Sequence, residues 1–134
     1  MKANELMIGD YVLVRSSMKP VNIRTVTPKQ VSYRATPYRF SWVSKDLLEP
    51  IPVTSEILKE FGFYCNHDDY HRWYHYLPNE DCNLWIEQSR TESHCYMLRG
   101  FPAIKVRYVH ELQHVLRLCG LNNLADNLKL EECI

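Results

Sequence analysis

The sequence predicts an α+β protein: a small antiparallel β-barrel, then a short helix, an antiparallel β-meander and a C-terminal helix packed on it. Three observations lead there. The first fifty residues hold short runs of β-branched and aromatic side chains broken by Pro20, Pro28 and Pro37, which leaves no room for helical crossovers between parallel strands. The middle of the chain alternates further such runs with turn-forming clusters. The period then changes, and Val109, Leu112, Val115, Leu116 and Cys119 recur at helical spacing until Gly120.

The first strand candidates are "MIGDYVLVR", "VNIRTVT", "KQVSYRA" and "YRFSWV"; in the last, Tyr38, Phe40 and Trp42 share one face and are expected to fill the barrel. Residues 1–49 should therefore hold at least three antiparallel strands and no helix longer than one turn. Pro50 and Pro52 break the chain, Thr54 is a good N-cap, and Glu56 sits where a helix dipole favours it. A helix over about 55–61 follows, burying Ile57, Leu58 and Phe61, with Val53 and Leu58 placed as a hydrophobic staple. Four strands come next, in "YHRWYHYL", "CNLWIEQ", "HCYML" and "AIKVR", and one helix over about 108–119 lies across them.

Charge divides the chain in the same place. Residues 1–50 carry eight basic and four acidic side chains, and the remainder carries eight and twelve, within a chain of net charge zero. Two modules are expected, 1–49 and 50–134. Five cysteines without any C-x-x-C spacing read as reduced thiols rather than a disulfide frame. No apolar run is long enough to span a bilayer and "MKANELMIGD" lacks a secretion signal, so a cytoplasmic protein with no membrane partner is expected.

The segments "ANELMIGDYV", "LEPIPVTSEILKEFGF" and "IKVRYVHELQHVLRLCG" resemble a family of small uncharacterised proteins of Bacteroidales and their phages and mobile elements. The family pattern runs ELRIGNYV, then PIPLTEEILLKFGF, then IKYVHQLQNLYFALTG. The resemblance covers roughly half the chain and implies no activity. The opening "IGDYV" followed by short strands is similar to SH3-like barrels.

His110, Glu111 and His114 spell H-E-x-x-H, the pattern in which two imidazoles one helical turn apart hold zinc and the glutamate deprotonates its bound water. The extended pattern fails, because Arg117 stands where it has Gly and Gly120 where it has the third His. Where this chain has Glu111 and His114, the family pattern has Gln and Asn. On a helical wheel the two histidines fall opposite the apolar stripe, beside Gln113 and Arg117, so both are expected to face solvent. The expectation is no resident metal, no cofactor and no catalytic residue, with Glu111 as base and His110 and His114 as ligands only in the competing reading of a small zinc-dependent hydrolase.

Two further clusters stand out. "CNHDDYHRWYH" gathers Cys65, His67, Asp68, Asp69, His71 and His75, and reads as a hairpin tip with a histidine-bearing face rather than a metal site. The basic first module combines Arg24, Arg34 and Arg39 with Tyr33, Tyr38, Phe40 and Trp42, the cations and stacking surfaces a nucleic-acid-binding module uses. The sequence thus predicts a non-catalytic accessory or interaction protein whose partner is protein or nucleic acid.

Overall fold

The computed structural model describes residues 6–66, 69–77, 82–89, 92, 95–98, 101–121 and 125, with side chains at 66, 69–71, 76, 77, 82, 83 and 101–103 left aside. Two open antiparallel sheets of five strands each make up most of it. The first is built from β1 (Tyr11–Val14), β2 (Lys19–Val26), β3 (Gln30–Thr36), β4 (Arg39–Ser44) and β5 (Leu48–Glu49), in the order β4-β3-β2-β1-β5. A single 3-10 turn, Lys45–Leu47, is the only helical element among described residues 6–49. Next comes α1 (Ser55–Glu60). The second sheet holds β6 (Tyr64–Asn66), β7 (Asp69–Leu77), β8 (Cys82–Gln88), β9 (Tyr96–Leu98) and β10 (Phe101–Val106), in the order β10-β9-β8-β7-β6. The last described element is α2 (Val109–Leu118).

This corrects the predicted α+β class with an SH3-like barrel: the chain is mostly β, α2 is the only helix of seven or more residues among those described, and neither sheet closes. Closure needs the last strand to bridge both ends of the sheet. Here β5 has two residues and pairs with β1, so β4 and β5 stay at opposite edges. The meander has five strands rather than four, because "YCN" returns against β7 directly after α1.

The core follows from which face of each strand is apolar. Val12, Val14, Ile23, Val31 and Leu48, with Leu6, form a small cluster on one face of the first sheet. Leu13 points the other way and joins the main core, made of Ile51 and Val53, the α1 side, the inner residues Trp73, Leu84, Ile86 and Leu98 of the second sheet, and Val109, Leu112, Val115 and Leu116 of α2. Backbone bonds from Val53 N to Arg107 O (3.0 Å) and Val109 N to Ile51 O (2.8 Å) tie the segment ahead of α1 to the start of α2.

The α1 segment forms as its sequence dictates. Thr54 Oγ1 accepts from Ile57 N at 3.3 Å, and Ile57, Leu58 and Phe61 are buried. Gly62 ends the turn at φ +86°, where a side chain is strained. Outside the core, Tyr64, Tyr74 and Trp85 stack across β6, β7 and β8 at 5.6 and 5.5 Å, a cross-strand ladder that fixes register. No helix among the described residues is long and apolar enough to cross a membrane.

Tyr38, Phe40 and Trp42 are not in a barrel interior: they are 98%, 53% and 53% exposed. The alternation grouped Phe40 and Trp42 correctly but on the wrong side of the sheet. Phe40 lies opposite Arg34 and Trp42 opposite Ser32, so both share the face away from the small core, while Val43 packs toward it.

Candidate functional site

The first candidate is the histidine-bearing side of α2. Glu111 Oε1 accepts from Arg107 N (3.0 Å) and Tyr108 N (3.1 Å), satisfying two donors just ahead of the helix. Its carboxylate is turned to the helix start, away from the position of a water-activating base. His110 is only 2% exposed, stacked on Tyr108 at 5.9 Å and meeting His114 edge-on at 5.8 Å with the rings 76° apart. His114 Nε2 lies 2.8 Å from Asp10 Oδ2, and Arg117 donates to Asp10 Oδ1 at 2.8 Å. Asp10 is fully buried and accepts a third bond from Met7 N at 2.8 Å. Gln113, also fully buried, accepts from Tyr11 N at 2.9 Å and donates to the carbonyls of Gly9 (2.8 Å) and Ala125 (2.7 Å).

The expectation that His110 and His114 face solvent is therefore corrected. His110 is buried, and the His114 side chain keeps 27% of its surface. The reason lies in the loop before β1. Gly9 N donates to Ile23 O at 2.7 Å and Ile23 N to Asp10 O at 2.9 Å, which extends the β1–β2 hairpin backwards and carries Asp10 onto α2. The helix is covered on two sides, by apolar core on one and by this polar lock on the other. Asp10 and Gln113 were missed as key residues. Their signal was present: His110, Gln113, His114 and Arg117 recur at i, i+3, i+4 and i+7, the spacing of a contact face, although all four are polar.

In chemical terms the lock joins the segment ahead of β1 to α2. A buried carboxylate is paired with a guanidinium and lies within hydrogen-bond distance of an imidazole, and a buried amide is satisfied by three backbone groups, so both belong to a satisfied interior. Among the described residues no three His, Cys, Asp or Glu side chains are grouped to hold a metal. Of the second histidine cluster the structure describes the side chains of Cys65 and His75. Cys65 packs against the main core and His75 meets the Phe63 ring edge-on at 5.2 Å. His67 and Asp68 lie outside the described residues, as do the side chains of Asp69 and His71. Cys65, Cys95 and Cys119 are free thiols.

The second candidate is the face of the first sheet that carries Phe40 and Trp42. Arg24, Arg34 and Arg39 are all exposed, and none has an ion-pair partner among the described residues. The Arg34 guanidinium lies 5.4 Å over the Phe40 ring. Arg34 also lines an open groove of about 880 Å³ beside β2 and β3, with Lys19, Arg24, Asn22 and Tyr33 among its other walls and no carboxylate. The structure thus brings Arg24 and Arg34 to one groove and links it through Arg34 to Phe40, while Arg39 stands at the start of β4. No protein family, curated protein or solved structure matches this chain.

Proposed function

We propose that the chain is a non-catalytic interaction module that holds single-stranded nucleic acid on the outer face of its N-terminal sheet. One observation carries the reading: Phe40 and Trp42, each 53% exposed, share one face of β4, and the Arg34 guanidinium, without an ion-pair partner among the described residues, lies over the Phe40 ring. Two exposed aromatic rings on one strand are costly to leave in water, and they offer sequence-tolerant stacking surfaces for unpaired bases. The adjoining groove supplies cations without a competing acid, the charge pattern that a phosphate backbone requires. A duplex hides its base faces, so a single strand fits these rings better. The non-catalytic part rests on Glu111, whose carboxylate oxygen is engaged by two backbone N–H groups.

The test is a salt series of fluorescence anisotropy titrations with labelled oligo-uridine and oligo-thymidine strands. Three arginines on phosphates imply a slope of log K against log salt of about −2 for a single strand. The triple variant Arg24→Ala, Arg34→Ala, Arg39→Ala should flatten that slope. No binding at low salt, or equal binding by the triple variant, would overturn the reading. Preferential binding of an acidic peptide over either oligonucleotide would do so as well.

A further inference from the structure

An open sheet ends in edge strands whose outward N–H and C=O groups invite pairing with another chain, and proteins blunt such edges with shortness, proline, bulges or charge. Among the described residues the two sheets have four edges, and three are blunted. β5 has two residues and runs into Pro50. β6 has three, with a register break between Cys65 and Asn66. β10 contains Pro102, which lacks an N–H, and its register with β9 shifts between Phe101 and Lys105.

β4 has none of these devices over most of its length. Its pairing with β3 runs without a break from Gln30↔Ser44 to Arg34↔Phe40, and among the described residues it pairs with β3 alone. From Phe40 to Ser44 it has neither a charge nor a proline, and Phe40 and Trp42 stand exposed along it.

We propose that β4 is the self-association edge of the protein, where a second copy of this chain adds antiparallel to make one ten-stranded sheet about a two-fold axis. The sequence of β4 is self-complementary in the register that sets Ser41 opposite the same residue of the second copy. Phe40 then faces the second copy's Trp42, and the reverse, which makes two aromatic cross-strand pairs on one face. Arg39 falls opposite the second copy's Val43, so no like charges oppose each other. An isologous contact of this kind closes after two copies and leaves no β4 edge for further growth. Directly paired residues share a face, so the two cationic and aromatic surfaces become one continuous surface. A single strand pair is small for a stable interface, so the dimer is a concentration-dependent one.

Sedimentation equilibrium from about 5 to about 500 µM tests this, the range in which small interfaces associate. The expected result is a rise in mass from the 16.0 kDa of one chain toward twice that value. Trp42→Lys, at an exposed position, should hold the mass at one chain with the far-ultraviolet circular dichroism unchanged. Leu118→Lys, which removes an 85% exposed side chain on α2, should dimerise like the parent and so exclude general hydrophobic association. A parent protein monomeric throughout, or a Trp42→Lys variant that dimerises equally, would overturn the proposal.

Discussion

Replacing Gln113 by Leu probes the lock between α2 and the start of the first sheet most sharply, because the substitution keeps the volume and removes only hydrogen bonding. Three bonds go: Tyr11 N to Oε1, and Nε2 to the carbonyls of Gly9 and Ala125. They are not equal. The Gly9 carbonyl also accepts from Asn22 Nδ2 at 2.7 Å, so it keeps a partner. The losses at Tyr11 N and the Ala125 carbonyl dominate, at about 1–3 kcal/mol for each buried group left without that bond. Leucine recovers about 1 kcal/mol by apolar transfer, leaving a net loss of about 3 kcal/mol. Unfolding entropy of about 2.1 cal/mol/K per residue over the 134 residues converts that to a fall in Tm of about 10 °C. Thermal denaturation followed by circular dichroism reads this directly. A solvent-facing glutamine would tolerate the change within about 0.5 kcal/mol. A fall of less than about 2 °C would therefore refute the lock. Gln113→Glu separates its halves, since it retains an acceptor for Tyr11 N but places a carboxylate against two carbonyls, and it should destabilise more than leucine.

Two further outcomes are expected. Gly62→Ala should cost more than Gly120→Ala in urea denaturation: both glycines have positive φ, worth about 1–2 kcal/mol each, but a Cβ at Gly62 would lie 3.2 Å from His75 Nε2 while one at Gly120 meets nothing within 4 Å. Equal costs would contradict the packing around His75. Stability should also fall as pH rises above about 8.5, because burial, followed by the Glu92 carboxylate, holds the Cys95 thiol above its ordinary value, and burial does the same for the Tyr96 hydroxyl. The sign follows from linkage: the unfolded chain releases these protons first, so the stabilisation is complete below the unfolded values and disappears as pH climbs through the folded ones. A flat profile between pH 8 and 10 in urea midpoints for the parent, matched by Cys95→Ala, would count against it.

Local structure was legible wherever one short stretch of chain determines it. Thr54, Glu56 and Gly62 specify α1 by capping, dipole and positive φ, and the apolar stripe of α2 is buried as its period requires. Readings that depended on a partner distant in sequence went astray. Period-two alternation groups Phe40 with Trp42 but does not say which face is covered, and that depends on β1 turning Leu13 rather than Val12 toward the main core. The histidine helix misled for the same reason. A polar stripe implies solvent only if nothing polar lies opposite, and Asp10 arrives there from 104 residues away. Barrel closure likewise turned on the length of β5, a two-residue element too short to announce itself in sequence.

In the proposed function, the working surface of this protein is the outer face of the N-terminal sheet and not the histidine helix. The most direct measurement compares the affinity of two variants, Trp42→Ala and Glu111→Gln, for one labelled oligo-uridine strand at fixed low salt. Loss of one stacking ring is expected to weaken binding by roughly 5-fold to 150-fold, the equivalent of about 1–3 kcal/mol per base. Glu111→Gln retains a carbonyl oxygen for the two N–H groups ahead of α2 and should bind as the parent does. Parent-like affinity in Trp42→Ala, or a loss of binding confined to Glu111→Gln, would contradict the account.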